Sequence, residues 1–285
     1  MALTTEDLLH KADFGDIYDQ PDPRPYFGTL RPFDYVIPQH GAEVYRLLLA
    51  ARAAQDGRPL NVLDVCCSYG VVAMLLKTEL HIRDLYAHYA KAADRSLSVQ
   101  QLAEHDQRVL RDGWVPGAPH VVGLDVAGNA VDYAVATGAL DAGFTENLEV
   151  DEPSPEFATQ GRDIDLVVTT GGVGYVTDRT FDRLLNITPA SVWVASFCLR
   201  TYDYAPISET LKARGFSTER SSNTFSQRRF TGPEEQEWAV GEVQARGLGP
   251  AGRESDGSYY ADFFLSRPTA EVDACPLSEL VPELA

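Results

Sequence analysis

Short apolar runs alternate with helical segments along most of the chain, and this alternation limits the fold more than any other feature. The runs are predicted as strands over residues 60–65, 120–125, 163–170 and 191–197. Each is followed by apolar residues at helical spacing, over residues 71–77, 129–137, 178–185 and 207–214. Such strands alternating with helices are typical of a parallel sheet covered by helices on both faces. The sequence therefore predicts an α/β fold.

The C-terminal part departs from this pattern. The last strand is predicted over residues 259–265 and follows a long stretch without a strong helical pattern, so we expect it to run antiparallel beside a strand near residues 216–219. The acidic run 234–237 in that stretch is predicted to be a solvated face, and residues 270–285 a loose acidic tail.

The N-terminal region, residues 1–58, is predicted to begin with a short helix and to end with a helix over residues 41–52. Between them, residues 18–38 are aromatic and proline-rich and cannot form one regular helix. We call residues 18–38 the strap and expect it to lie across a surface and cover the site. Its tyrosines are expected either to form one wall of a ligand site or to fill surface grooves; they are Tyr18, Tyr26 and Tyr35.

An insertion over residues 79–117 separates the first strand–helix unit from the second. It is predicted to form two helices, over residues 82–92 and 99–109. The insertion leaves the sheet at the carboxyl ends of the strands, where ligands bind in folds of this type, so we interpret it as a lid. The alternative is a helical hairpin that only packs on the sheet.

Two acids end neighbouring predicted strands. Asp64 lies in Asn-Val-Leu-Asp-Val-Cys-Cys-Ser-Tyr-Gly, residues 61–70, where a turn of small residues opens a helix and can bring backbone N–H groups close to a ligand. Asp125 ends the next strand, where dinucleotide-binding folds have an acid for the ribose hydroxyls. It lies 61 residues after Asp64, and the insertion explains this long spacing.

These segments resemble the class I S-adenosylmethionine (SAM)-dependent methyltransferases over roughly residues 60–265. Val-Leu-Asp-Val at 62–65 matches the first motif of that family and Gly-Leu-Asp at 123–125 the second. The third motif, the fourth strand and the fifth strand are matched by residues 147–151, 163–168 and 192–197. The resemblance implies a Rossmann-like sheet of seven strands with an antiparallel last strand, in a SAM-binding domain over residues 59–269.

The first loop departs from the family, which usually has three glycines there. Their places hold Cys66, Ser68 and Gly70. Cysteine and serine are small enough for a ligand to approach, but we expect the loop to avoid positive φ at both positions. A nucleophilic Cys66 or Cys67 is an alternative, since thiols near helix N-termini have lowered pKa values. No histidine is near in the chain to act as base, which favours a packing role.

The turn after the fourth strand, Thr-Thr-Gly-Gly-Val-Gly-Tyr at 169–175, faces the transferred methyl group in the family. It lacks the Asn/Asp-Pro-Pro-aromatic motif of enzymes that methylate amino groups of nucleic acids. The Tyr175 ring can lie against a sulfonium in a cation–π contact, or it can pack in the core. Asn129 can hydrogen-bond to the ligand, or it can cap the second helix.

The resemblance thus predicts two sets of site residues. Those expected to contact the cofactor are Asp64, Cys66, Ser68, Tyr69, Gly70, Asp125, Val126, Asn129, Glu149, Asp151, Thr170, Gly171 and Gly172. Those expected near the reacting atoms are Tyr175, Asn129, Tyr18 and Tyr35. No metal is expected, because the six histidines show no ligand spacing.

Charge and cysteine content restrict the partners and the compartment. The chain has 42 acidic and 24 basic residues, a net charge of −18, which disfavours nucleic acid and anionic membranes. No apolar run approaches the roughly 20 residues of a membrane span, and residues 1–30 do not resemble a signal peptide. The four cysteines suggest no disulfide framework, so a cytoplasmic protein is expected. A homodimer is compatible with the sequence.

Three functions follow from the resemblance. The first is transfer of the SAM methyl group to a small-molecule acceptor in secondary metabolism. The second is cyclisation of SAM itself, in which the α-amine attacks the γ-carbon to give azetidine-2-carboxylate and methylthioadenosine, as in SAM-cyclising synthases that share this fold. The third is SAM binding without catalysis.

Overall fold

Seven strands form one mixed sheet in the computed structural model, which describes residues 14–284. The strands are β1 (Asn61–Val65), β2 (His120–Leu124), β3 (Ala142–Phe144), β4 (Leu166–Thr170), β5 (Trp193–Leu199), β6 (Phe216–Arg229) and β7 (Ser258–Pro268). Their order is β3-β2-β1-β4-β5-β7-β6. Strands β1 to β5 are parallel, and β7 is antiparallel to both β5 and β6. The predicted fold class, with its antiparallel last strand, is confirmed.

Helices cover both faces of the sheet. They are α1 (Arg24–Leu30), α2 (Ile37–Asp56), α3 (Val71–Lys77), α4 (Ile82–Asp94), α5 (Val99–Asp112), α6 (Gly128–Thr137), α7 (Pro155–Gly161), α8 (Asp178–Ile187), α9 (Ala205–Ala213), α10 (Pro233–Ala245), α11 (Thr269–Ala274) and α12 (Leu277–Leu280). Side chains of successive strand residues point to opposite faces of the sheet, and each face has its own hydrophobic core. Val62 packs with α2 and α3 on one face, and Leu63 packs with α8 and α9 on the other. No helix within residues 14–284 is long and apolar enough to cross a membrane.

The strap is more regular than predicted, because it contains helix α1. Pro25 occupies the first turn of this helix, where a missing N–H costs nothing. The helix buries Tyr26, Phe27 and Leu30. Helix α2 includes the predicted 41–52 segment but begins four residues earlier and ends at Gly57, which has a φ of 67°. The short helix expected at the N terminus lies before residue 14, outside the described residues.

Two predictions for the C-terminal part are wrong. Residues 233–245 form helix α10, which the sequence pattern did not reveal because its buried stripe includes the small residue Ala239 and the acid Glu235. Within the acidic run 234–237, Glu234 and Glu237 are exposed as predicted, but Glu235 is 4% exposed and pairs with Arg228 at 2.6 Å. The tail after residue 269 is docked rather than loose: it forms α11 and α12, and it buries Leu277 and Leu284.

The insertion forms the two predicted helices as a hairpin, with each helix longer by two or three residues, and its role as a lid stays a prediction. Helices α4 and α5 begin with capping boxes at His81 and Ser98. The hairpin is tied to the domain by the buried carboxylate of Asp106. Its oxygens accept hydrogen bonds from the hydroxyls of Tyr89 at 2.8 Å and Tyr133 at 2.6 Å, and His88 Nε2 lies 2.6 Å away. One carboxylate thus joins α4, α5 and α6.

We expect Asp106→Ala to lower the free energy of unfolding by about 3–5 kcal/mol, because it leaves two buried hydroxyls without their charged acceptor. Urea denaturation of both proteins measures the change. Asp112→Ala is the matched control, since Asp112 is an exposed acid on the same helix. Equal stability of the two variants would show that the hairpin does not depend on Asp106.

Candidate functional site

The candidate site lies where the carboxyl ends of β1, β2 and β4 meet. The loop after β1 and the loop after β4 are in contact there: a Cβ added to Gly172 would lie 2.7 Å from the thiol sulfur of Cys66. Gly172 therefore allows the two loops to pack closely against each other.

Asp64 is the most unusual group of the site. It is 2% exposed, and its Oδ2 atom has no hydrogen-bond partner among the described residues. Burial, and to a smaller extent the negative charge of Asp125, raises the pKa of Asp64 to about 8. A buried carboxyl group with a free oxygen is suited to a positively charged ligand.

The loop after β1 adopts the conformation that glycines would favour, although it has cysteine and serine instead. Cys66 has a φ of 61° and Ser68 a φ of 48°, so the expectation that these residues avoid positive φ is wrong. Gly70 also has positive φ, at 69°, and precedes α3. The Oγ atom of Ser68 is buried and has no partner within residues 14–284. Such backbone strain persists only where the surrounding structure imposes it.

Asp125 is oriented by backbone N–H groups. Its Oδ2 accepts a hydrogen bond from the Ser68 N–H at 2.8 Å, and its Oδ1 accepts one from the Ala127 N–H at 3.0 Å. Burial raises the pKa of Asp125, and these hydrogen bonds oppose the shift. Each carboxylate oxygen can accept a second bond, so the group can still bind two ligand hydroxyls. Val126, the next residue, is 64% exposed and open to a ligand.

Tyrosines of the strap gather beside these acids. The rings of Tyr18 and Tyr35 pack edge-on against Tyr26, with centroid distances of 5.7 and 6.2 Å. Burial raises the pKa of Tyr18, and Tyr35 and Tyr175 are close enough to raise it further. Tyr175 is 56% exposed, which excludes the core-packing alternative for this residue. The structure thus brings Tyr18, Tyr35 and Tyr175 together.

Two other residues that were predicted to contact the ligand, Asn129 and Tyr69, are hydrogen-bonded to the strap. The Asn129 side-chain amide donates to the Asp19 carbonyl at 3.0 Å, and its backbone N–H donates to the Asp19 carboxylate at 2.8 Å. The hydroxyl of Tyr69 accepts from the Gln20 N–H at 2.9 Å and lies 3.1 Å from the Ile17 carbonyl oxygen. The Tyr69 hydroxyl and the Asn129 side-chain amide are therefore engaged by the strap, and contact of these residues with the cofactor stays a prediction.

The remaining residues predicted to contact the cofactor are Glu149, Asp151, Thr170 and Gly171. Glu149 accepts hydrogen bonds from Thr177 and Thr180 at the start of α8; burial opposes its ionisation, but these bonds outweigh it and lower its pKa. Asp151 is exposed in the turn that follows. The Oγ1 atom of Thr170 lies 2.7 Å from the hydroxyl of Tyr45, which ties β4 to α2. Gly171 has a φ of 88° and borders the strap.

The thiols of the first loop are not activated. Burial raises the pKa of Cys66 and of Cys67, and the charges of Asp64 and Asp125 raise both further. A thiol in this environment stays protonated and is a poor nucleophile. All four cysteines are free. The packing interpretation is the one that the structure supports.

One residue of the site was not found from the sequence. Gln227, on β6, is 5% exposed, and its Oε1 atom has no partner in the described part of the chain. A Cβ added to Gly171 would lie 3.6 Å from the Gln227 Nε2 atom and 3.6 Å from the Tyr35 hydroxyl. The strand was predicted only near residues 216–219, so no sequence signal placed residue 227 beside the loop after β4.

No protein-family model matches the chain, and comparison with curated proteins finds no similar sequence. Three of the solved structures to which it is similar are methyltransferases, the class that the sequence motifs resemble. A TehB-like SAM-dependent methyltransferase from Corynebacterium glutamicum is 16% identical, with 80% of this chain and 96% of that chain covered and a TM-score of 0.38.

The second is the magnesium protoporphyrin IX methyltransferase from Synechocystis with bound SAM, at 15% identity, 80% and 79% coverage and a TM-score of 0.39. The third is a plantazolicin methyltransferase in complex with S-adenosylhomocysteine, at 12% identity, 80% and 84% coverage and a TM-score of 0.39. Likeness at this level identifies no ligand, so the site is interpreted from its own residues.

We expect Asp64→Asn to stabilise the ligand-free protein at pH 8. The folded state keeps Asp64 protonated up to about pH 8, whereas the unfolded chain releases this proton near its ordinary pKa, so the group lowers stability as pH rises between these values. One pKa unit corresponds to about 1.36 kcal/mol, and we expect a gain of about 2 kcal/mol or more at pH 8 that disappears near pH 4.

Urea denaturation at several pH values measures this effect. Asp163→Asn, at an exposed acid just before β4, is the control and should not change the pH dependence. The same pH profile for the wild type and Asp64→Asn would contradict the raised pKa.

Proposed function

We propose that the site binds SAM. The observation that carries this proposal is the buried carboxyl group of Asp64, with its unpartnered oxygen, beside the carboxylate of Asp125. SAM carries positive charge on its sulfonium and its α-ammonium group and has two vicinal ribose hydroxyls. A buried carboxylate with a free oxygen suits the cation, and a carboxylate at a strand end suits the diol.

The remaining residues fit the same ligand. The rings of Tyr18, Tyr35 and Tyr175 offer faces to a cation, a contact of about 0.5–2 kcal/mol depending on desolvation. The raised pKa values of Tyr18 and Tyr35 keep both phenols protonated near neutral pH, so they orient and shield rather than accept protons.

We further propose methyl transfer to a small-molecule acceptor as the reaction. The bound sulfonium supplies an already activated methyl group. The protein then has to exclude water and align an acceptor with the carbon–sulfur bond, for which no base is essential. We assign this alignment to Tyr175, whose side chain is exposed in the loop after β4. The charge of −18 supports an acceptor other than nucleic acid.

Cyclisation of SAM is the second candidate, and one observation favours it. An α-ammonium group must lose a proton before its nitrogen can attack carbon. The ionised form of a carboxyl group with a pKa of about 8 is suited to accept this proton, because its pKa is close to that of an α-amino group, and Asp64 is such a group. In this alternative the strap tyrosines hold the methionine portion folded.

We expect Asp125→Ala to weaken SAM binding at least about a hundredfold. Two charge-assisted hydrogen bonds to the ribose contribute about 1.5–3 kcal/mol each, and 1.4 kcal/mol corresponds to a factor of ten in affinity. Isothermal titration calorimetry measures the change. Asp132→Ala removes an exposed acid on α6 and should bind SAM as the wild type does. Unchanged affinity in Asp125→Ala would overturn the assignment of the ribose.

Incubation of the purified protein with SAM alone distinguishes the two reactions. If the protein transfers the methyl group, mass spectrometry should detect no turnover, although calorimetry shows binding. Methylthioadenosine with azetidine-2-carboxylate would establish cyclisation instead, and Asp64→Asn should then abolish product formation. Absence of SAM binding by the wild-type protein would overturn both candidates.

A further inference from the structure

A second cavity adjoins the candidate site at the carboxyl edge of the sheet. Its volume is about 710 Å³, and it is bordered by the strap, α4, β6 and the start of β7. Cavities of roughly 300–1,000 Å³ hold small organic molecules. The size therefore suits a metabolite.

Tyr35 is shared by this cavity and the candidate site. Its side chain lines the cavity, while its hydroxyl lies 3.6 Å from where a Cβ of Gly171 would be. Tyr35 is 9% exposed. Its backbone is fixed by the hydroxyl of Tyr86, which donates a hydrogen bond to the Tyr35 carbonyl oxygen at 2.7 Å. Tyr35 therefore borders both the cavity and the loop after β4.

The charged side chains of the cavity are mostly basic. Arg228 is buried and paired with Glu235, and Arg229 is paired with Asp34 at 3.0 Å. Both of these pairs are neutral as a whole. The rim also carries two other exposed arginines, Arg31 and Arg83.

Arg31 and Arg83 make no ion pair within residues 14–284. His40, which also lines the cavity, has a pKa lowered by burial, although Glu43 opposes the shift, so it adds little charge near neutral pH. The rim thus carries two positive charges without an ion pair within residues 14–284, on a chain whose net charge is −18. This local reversal of sign favours an anion.

We propose that this cavity binds the methyl acceptor, and that the acceptor carries an anionic group, a carboxylate or a phosphate, bound by Arg31 and Arg83. The identification of this ligand as the methyl acceptor rests on the proposed function, whereas the binding of an anion in the cavity does not. Guanidinium groups bind carboxylate and phosphate through paired N–H donors, which orients the ligand as well as holding it. With its anion at the rim, the acceptor directs its other end toward Tyr35.

Matched aromatic probes test the charge of the ligand. Binding of benzoate, phenyl phosphate and benzamide to the protein saturated with S-adenosylhomocysteine is measured by ligand-observed NMR at low salt. We expect benzoate or phenyl phosphate to saturate and benzamide to bind at least about tenfold more weakly, since one charged hydrogen bond contributes about 1.5–3 kcal/mol. The two anions compared with each other identify the preferred group. Equal binding of all three overturns the proposal.

A pair of double variants tests the location. Arg31→Gln with Arg83→Gln should weaken binding of the anionic probe at least about tenfold. Arg108→Gln with Arg111→Gln changes the net charge equally at exposed positions of α5 outside the cavity and should have little effect. Equal losses in the two double variants would show a general effect of charge and overturn the site.

SAM affinity separates this inference from the proposed function. It should be the same in the Arg31→Gln, Arg83→Gln protein and in the wild type. If the wild type binds SAM but no anionic probe, the anionic acceptor is wrong and the cofactor stands. If the wild type binds the anionic probe but binds neither SAM nor S-adenosylhomocysteine, the anion site in the cavity is supported and the proposed cofactor is wrong.

Discussion

The carboxyl group of Asp64 is enclosed by the protein with one oxygen unpartnered among the described residues, and the site is arranged around it. The parallel pairing of β1 and β2 places Asp64 and Asp125 at neighbouring strand ends, so the topology of the sheet, not attraction, brings the two acids together. Burial and the charge of Asp125 raise the pKa of Asp64. A group that opposes folding and is nevertheless fully buried is typical of a binding or catalytic site.

The loop above Asp64 is held in its conformation from two sides. The strained residues Cys66 and Ser68 could relax if the loop were free, but Gly172 packs directly on Cys66, and the Ser68 N–H binds Asp125. The loop is therefore ordered before any ligand arrives. A preordered loop loses less conformational entropy on binding, which compensates for the missing glycines.

Fold and site could be predicted where their signals are local. Apolar runs and helical spacing indicated β1, β2, β4 and β5, and motif positions placed Asp64 near Asp125 because the ends of parallel strands share one edge. Helix α10 gave no such signal, because one residue of its buried face is the acid Glu235, which can be buried only because it pairs with Arg228 on β6. Nor did motif positions show that Tyr69 and Asn129 are occupied by the strap, through contacts that span 49 and 110 residues. A single sequence does not reveal long-range partners of this kind.

The attachment of the strap has a consequence for the rate of turnover. Tyr69 belongs to the loop after β1 and Asn129 to helix α6, and each is hydrogen-bonded to the strap. Opening of the strap requires these hydrogen bonds to break, and they are made by the same two segments that border Asp64 and Asp125. Under the proposed function, ligand exchange that needs the strap to open would therefore be slowed by these bonds.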